Sequence, residues 1–135
     1  MYENKREAKA CLPVGSILTI AAAGSESSSA SVLTNDETKE KRGYESDLCR
    51  PKFAIMNPEW MYSLPDYQTQ SGCVDIMMHT MERYFTSGGN MALTDALAEG
   101  IMRTDMKNSI ILRNDPLNYD ARAEIMWLVR FLTII

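Results

Sequence analysis

Asp75 and His79 lie four residues apart in Gly72-Cys73-Val74-Asp75-Ile76-Met77-Met78-His79, and His79 is the sole histidine of the 135-residue chain. On a helix, residues i and i+4 share a face, so the pair offers one carboxylate oxygen and one imidazole nitrogen to a single cation. Transition-metal centres normally take three or more protein ligands, usually with more imidazole than one residue supplies. The pair is therefore half a metal site, and the chain reads as part of something larger. Val74, Ile76, Met77 and Met78 give the pair apolar surroundings, in which a charged group needs a partner that a cation can provide. The ordinary alternative is an acid and a histidine solvated side by side.

Two other stretches hold groups with chemical use. Ala23-Gly24-Ser25-Glu26 follows a strand-like run ending at Ile20, and backbone N–H groups of such a small-residue loop can face a phosphate. Its glycine spacing matches neither familiar nucleotide fingerprint, so a tight turn is the simpler local reading. Lys39-Glu40-Lys41-Arg42 reads as a solvated turn between strands unless a phosphate site lies beside it. With the one histidine placed beside Asp75, no Ser/His/Asp or Cys/His arrangement can be built. The ten methionines serve as helical core filler.

Composition bounds the classes. A chain with 45% hydrophobic and 24% charged residues is globular and of one-domain length. Fourteen basic against eighteen acidic residues, a net charge of -4 and no dense basic block argue against a nucleic-acid partner. Cys11, Cys49 and Cys73 are odd in number and show no CxxC pairing, which argues against a disulfide framework or zinc ribbon and for a reducing, cytoplasmic setting. The charged start Met1 to Glu7 lacks an apolar region behind it. The Ile17 to Ala23 stretch falls short of the roughly 20 residues a bilayer requires, so neither export nor membrane anchoring is expected.

The elements that must position these residues change character along the chain. Val14 to Ile20 reads as a short buried strand, Ala21 to Ala30 as a segment too rich in Ser and Gly for a helix, and Ser31 to Asn35 as a strand leading into an exposed turn at Asp36 to Arg42. Lys52 to Met56 reads as a second buried strand closed by Asn57-Pro58. From Pro65 the period becomes helical: Val74, Met77, Met78, Met81 and Tyr84 recur at three- and four-residue spacings until Ser87-Gly88-Gly89. Asn90 or Thr94 caps a second helix with Leu93, Leu97, Ile101 and Met102 on its apolar face, and Asn118-Tyr119-Asp120 opens a third. Trp127 to Ile135 is apolar on nearly every side, which suits burial.

Taken in order, Leu12 to Glu26, Pro51 to Pro58, Leu64-Pro65 through Glu82, and Asn118 to Arg122 resemble the iron-containing (group III) alcohol dehydrogenases, and among them the NAD(P)H-dependent butanol dehydrogenase branch. The resemblance implies the C-terminal part of a dinucleotide-binding α/β domain over residues 1–64, followed over residues 65–127 by the first helices of an all-helical metal-binding domain. It makes Asp75 and His79 two of four ligands to a divalent metal, Fe2+ or Zn2+. Thr19, Gly24 and Ser25 become part of a coenzyme-contacting segment for NAD(H) or NADP(H). Lys41 falls near the coenzyme phosphates and Leu64 close to the nicotinamide. Two further ligand histidines and the glycine-rich diphosphate loop of the family have no counterpart here, and Ala23 stands where threonine is common.

The resemblance also implies an activity: hydride transfer between the coenzyme and a small alcohol or aldehyde such as butanol or butanal, by an enzyme that is a homo-oligomer when complete. For this chain alone it implies little activity, with a non-catalytic truncated product or one part of a split enzyme as the alternative. The tail departs from the family, which continues after Met-Trp with a run like Ala-Gly-Ser-Leu-Ser-His-Asn. Dropping one base from a coding sequence for that run yields Leu-Val-Arg-Phe-Leu-Thr and opens an isoleucine codon, which reproduces Leu128 to Thr133 and fits Ile134. Leu128 to Ile135 is accordingly expected to be out-of-frame sequence.

Overall fold

The computed structural model describes residues 8–86 and 88–133. The charged start, Ser87 of the expected helix stop, and Ile134-Ile135 lie outside them. Strand β1 (Gly15–Ile17) pairs in parallel with β4 (Phe53–Ile55), and β2 (Ala30–Thr34) pairs antiparallel with β3 (Lys41–Glu45). Three helices follow: α1 (Asp66–Tyr84), α2 (Ala92–Asn114) and α3 (Tyr119–Leu128), with a closing 3-10 turn over Val129–Thr133.

The antiparallel hairpin corrects one expectation. The exposed turn is confined to residues 35–40, where the Asn35 side chain accepts from the Glu37 and Thr38 amides and Asn35 N–H bonds Glu40 O at 2.9 Å. This Asx turn reverses the chain, so Lys41 and Arg42 enter β3 opposite Thr34 and Leu33. The strands expected to be buried are largely open: Ile17 is 60% exposed and Phe53 61%. A two-stranded sheet has too little breadth to cover its own faces, and among the described residues no second layer lies on them.

The helical half carries the core. Ile76, Ile101, Leu112, Ile125, Met126, Val129 and Leu132 form one buried cluster with Leu18, Ala21 and Met61 from the strand half. Each such apolar side chain contributes about 1.5–3 kcal/mol on burial. The face of α1 that turns inward is Thr69, Gly72, Cys73, Ile76 and Thr80, not the methionine-rich stripe that the periodicity suggests. Val74 and Met78 point to solvent at 60% and 57% exposure. Close approach decides this: a Cβ on Gly72 would overlap the carbonyl oxygen of Ala21, so α1 lies on the strand half through its small residues.

Helix α2 likewise buries Ala98, Ile101, Asp105, Asn108 and Leu112 and leaves Leu93 and Leu97 exposed. Neither Asn90 nor Thr94 caps it: the helix begins at Ala92 behind Met91, with no side-chain cap. The expected opening of α3 holds, with Asn118 Oδ1 accepting from Ala121 N–H at 3.0 Å. Of the tail's described residues, Leu128, Val129 and Leu132 are folded into the core, while Trp127 stays 56% exposed. Val129 and Leu132 are fully enclosed, and the Thr133 hydroxyl lies 2.8 Å from that of Ser27.

Candidate active-site cleft

The loop after β1 sets one wall of a cleft. Gly24 adopts φ +73, a left-handed conformation suited to glycine, and its carbonyl accepts from Ser27 N–H at 3.1 Å to close a tight turn. The Val129 carbonyl lies only 3.2 Å from where a Cβ on Gly24 would sit. The loop is tied to the hairpin by Ser29 Oγ, which donates to Glu45 Oε1 at 3.1 Å, and by Arg50, which donates to Ser27 O and, at 2.7 Å, to Asp47 Oδ1. Glu26 is buried beneath the turn. Burial pushes its carboxyl up, partly offset by its own backbone, the Ser27 hydroxyl and Arg130.

Opposite this wall stands one face of α1. Asp75, His79 and Arg83, at i, i+4 and i+8, line a cleft of about 680 Å3 together with Lys41 and Glu45 of β3, the loop residues Ala23, Ser25, Ser28 and Ser29, and Thr133. Its volume falls within the range of small-molecule and cofactor sites, about 300–1,000 Å3. Ser25, Lys41, Asp75 and His79, drawn from widely separated stretches of sequence, thus share one space. Thr19 is exposed and does not line it. Gly24 is buried in the turn behind the wall. Leu64 is half-buried and borders a separate cavity of about 10 Å3 with Ala21, Thr69 and Arg122.

His79 Nε2 lies 3.8 Å from Asp75 Oδ1, and its Nδ1 lies 3.8 Å from Glu82 Oε2. Two donors about 2.0–2.2 Å from a shared cation stand roughly 3–3.5 Å apart, so a small side-chain rotation lets Asp75 and His79 serve as two ligands. Among the described residues no group of three or more His, Cys, Asp or Glu side chains converges on one point.

Arg83 went unnoticed in the sequence, although its i+8 spacing from Asp75 marks it. Its Nη1 donates to His79 O at 2.8 Å, and it has no carboxylate within ion-pair distance among the described residues. Ser28, Ser29 and Thr133 had no sequence signal, because the turn at Gly24 and the folding back of the tail bring them to the cleft.

A helix-borne carboxylate and imidazole thus face a small-residue loop and a lysine across one cleft. The chain belongs to the iron-containing alcohol dehydrogenase family, whose sequence model, described as "Iron-containing alcohol dehydrogenase", matches residues 1–58. It is 39% identical over 127 residues to NADH-dependent butanol dehydrogenase A of Clostridium acetobutylicum, a match covering 94% of this chain and 33% of that protein. The crystal structure of NADH-dependent butanol dehydrogenase A from Thermotoga maritima superposes with a TM-score of 0.90 at 38% identity, covering 95% of this chain and 32% of that one. Sulfoacetaldehyde reductase from Bifidobacterium kashiwanohense, solved in complex with NAD+, superposes with a TM-score of 0.86 at 29% identity, over 97% of this chain and 35% of that one. The chain spans about a third of the length of the curated relatives it matches. Its strands followed by helices are an α/β piece and a helical piece of that family's architecture.

Proposed function

We propose that this chain supplies the coenzyme cleft and two of the metal ligands of an alcohol dehydrogenase that moves hydride between NAD(H) or NADP(H) and a small alcohol or aldehyde. The observation that carries the reading is the single cleft shared by Ser25, Lys41, Asp75 and His79. Residues 1–64 form the end of the dinucleotide-binding part and residues 65–127 the start of the metal-binding helices. The cytoplasm is the compartment that fits its three free cysteines.

When bound, a divalent metal polarises the alcohol or carbonyl oxygen while the nicotinamide exchanges hydride with the neighbouring carbon. The chain's own residues have simpler tasks. Asp75 and His79 present an oxygen and a nitrogen from adjacent turns of α1, and Glu82 stands beside the other imidazole nitrogen, where it can hold the ring orientation. Lys41 offers a positive charge to an anionic ligand, while Ser25 at the cleft and Gly24 behind it shape the turn. Leu64 and Thr19 keep the nicotinamide-side and coenzyme-side roles that the resemblance implies only if the bound ligand reaches them.

NADH fluorescence titration of the full chain tests this directly. Binding is expected, and Lys41→Ala is expected to weaken it about tenfold, the loss of one charge-assisted contact of roughly 1.4 kcal/mol. Indifference to Lys41 would remove the coenzyme assignment.

A second reading is one part of a split enzyme or a non-catalytic product, in keeping with Asp75 and His79 being joined by no third ligand-type side chain among the described residues. Genomic sequencing across the Trp127 to Ile135 codons separates the two. Under this reading a single restored base opens a frame encoding two more histidines; an intact frame removes the out-of-frame origin of the tail.

A further inference from the structure

Arg83 continues the row that Asp75 and His79 begin: the three side chains follow one another along a single face of α1 and line the same cleft. Each step along the row is about one helical turn, roughly 6 Å of rise. The Arg83 guanidinium is half-buried and held against the helix by Nη1, which donates to His79 O at 2.8 Å. A guanidinium is a permanent cation whose planar fork carries further N–H donors. The helix's negative end accounts for a cation in the last turn of α1, but not for its place in the cleft beside the two ligand residues. The other charges nearby are engaged: Arg50 with Asp47, Glu45 with the Ser29 hydroxyl, Asp75 with His79, and Glu99 of α2 with Arg103 and Tyr84. Arg83 and Lys41 alone among the cleft's charged side chains have no oppositely charged side chain within ion-pair distance among the described residues. A half-buried permanent cation in this setting calls for an oxyanion from a ligand.

We propose that Arg83 is a specificity-determining residue that receives an oxyanion on the substrate itself, so that the site takes short alcohols or aldehydes carrying a carboxylate or comparable acidic group in preference to neutral ones of equal length. The proposal rests on the reading of Asp75 and His79 as the ligand pair that marks the reacting end. Arg83 lies about one turn beyond His79, where an acidic group a few carbons from the reacting carbon arrives. The planar fork suits two parallel N–H···O bonds to a carboxylate, which sets the substrate's direction along α1 as well as its charge. Lys41 of β3 is left for the coenzyme phosphates, so the two cations divide the anionic groups of two ligands.

Isothermal titration calorimetry of the full chain with Zn2+ present compares 4-hydroxybutyrate with 1-butanol, which share a chain length and differ in the carboxylate. The acid is expected to bind about tenfold more tightly, the effect of one charge-assisted pair. Arg83→Ala should erase that preference, bringing the two ligands within about twofold of each other, and Arg83→Lys, which keeps the charge and loses the fork, should restore part of it. The ratio is what a merely structural role does not move, since losing the His79 carbonyl contact alone would weaken both ligands alike. The proposal is overturned by an acid that binds no better than 1-butanol, or by an Arg83→Ala chain that keeps the preference. It is overturned too if Arg83→Ala weakens only NADH or inorganic pyrophosphate, which would assign Arg83 to the coenzyme. The coenzyme reading fails separately: a chain indifferent to Lys41 in the NADH titration that still prefers the acid through Arg83 loses that reading and keeps the oxyanion site. One that binds NADH through Lys41 without preferring the acid loses this inference alone.

Discussion

Asp105 shows how a single side chain sets a property of the whole. It is buried on α2 against Cys73 of α1, and its Oδ1 has no hydrogen-bond partner. Burial pushes the carboxyl up to about 7, although the Cys73 hydrogen bond opposes this. The Cys73 thiol is itself pushed up to about 12, first by burial and then by Asp105, so it keeps its proton and remains the donor. A carboxyl whose folded pKa lies above its unfolded value near 4 favours folding fully below pH 4 and loses that contribution as pH rises to 7. Urea unfolding should therefore show stability falling between pH 4.5 and pH 7.5, on the order of 2–4 kcal/mol. Asp105→Asn keeps an acceptor for Cys73 and removes the titration, so its stability should be nearly flat over that window. An equally steep decline in the variant would place the titrating group elsewhere. Nothing in the sequence marked Asp105, because an acid in a helical run looks solvent-facing until the partner helix is placed.

At the scale of elements, α1 is the piece on which the cleft depends, and Gly72 sets its seat. With no side chain at position 72, the helix packs on the Ala21 carbonyl and turns Asp75 and His79 towards the loop wall. Gly72→Ala puts a methyl group against a backbone oxygen that cannot swing away. It is expected to cost about 2–3 kcal/mol, despite the better helix propensity of alanine. Thermal or urea denaturation checks the magnitude, and a stabilised Gly72→Ala chain would refute the close seating. The existence of α1 and α2 was legible from their period and that of α3 from its Asn118 cap, as were the strands around Ile17, Val32 and Ala54. Their inward faces were not. Periodicity ranks faces by apolar content, yet α1 buries Thr69, Gly72 and Thr80 because a close helix seat rewards small side chains. The β3 strand hid behind the charges of Lys41 and Arg42, which an exposed two-stranded hairpin tolerates. Asp75 and His79 were legible because i, i+4 spacing is a property of the helix alone, whereas Arg83, Ser28 and Thr133 join the cleft only through tertiary folding.

Across the whole molecule, two kinds of surface coexist. The helical half has a continuous core, while Ile17, Phe53 and Ile55 of the parallel pair stay open, although parallel sheets are ordinarily covered on both faces. No helix among the described residues is long and apolar enough to cross a membrane. The two halves are joined by the seat of α1, by Leu18, Ala21 and Met61 in the shared core, and by the tail. Val129 and Leu132 are enclosed in the common core, the Val129 carbonyl abuts Gly24, and the Thr133 and Ser27 hydroxyls meet at 2.8 Å. The segment Val129–Thr133 is thus a structural strut between α3 and the cleft loop. Leu132→Ala is expected to cost about 2–5 kcal/mol, the range for a large-to-small change in a closed site. Removing residues 128–135 should cost more and uncouple the halves, so that unfolding followed by tyrosine and tryptophan fluorescence and by far-ultraviolet circular dichroism no longer coincides. Should both variants unfold at the same urea concentration as the full chain, in one transition, the tail contributes nothing to the core and the cleft loop must be held by the Arg50 and Glu45 contacts alone.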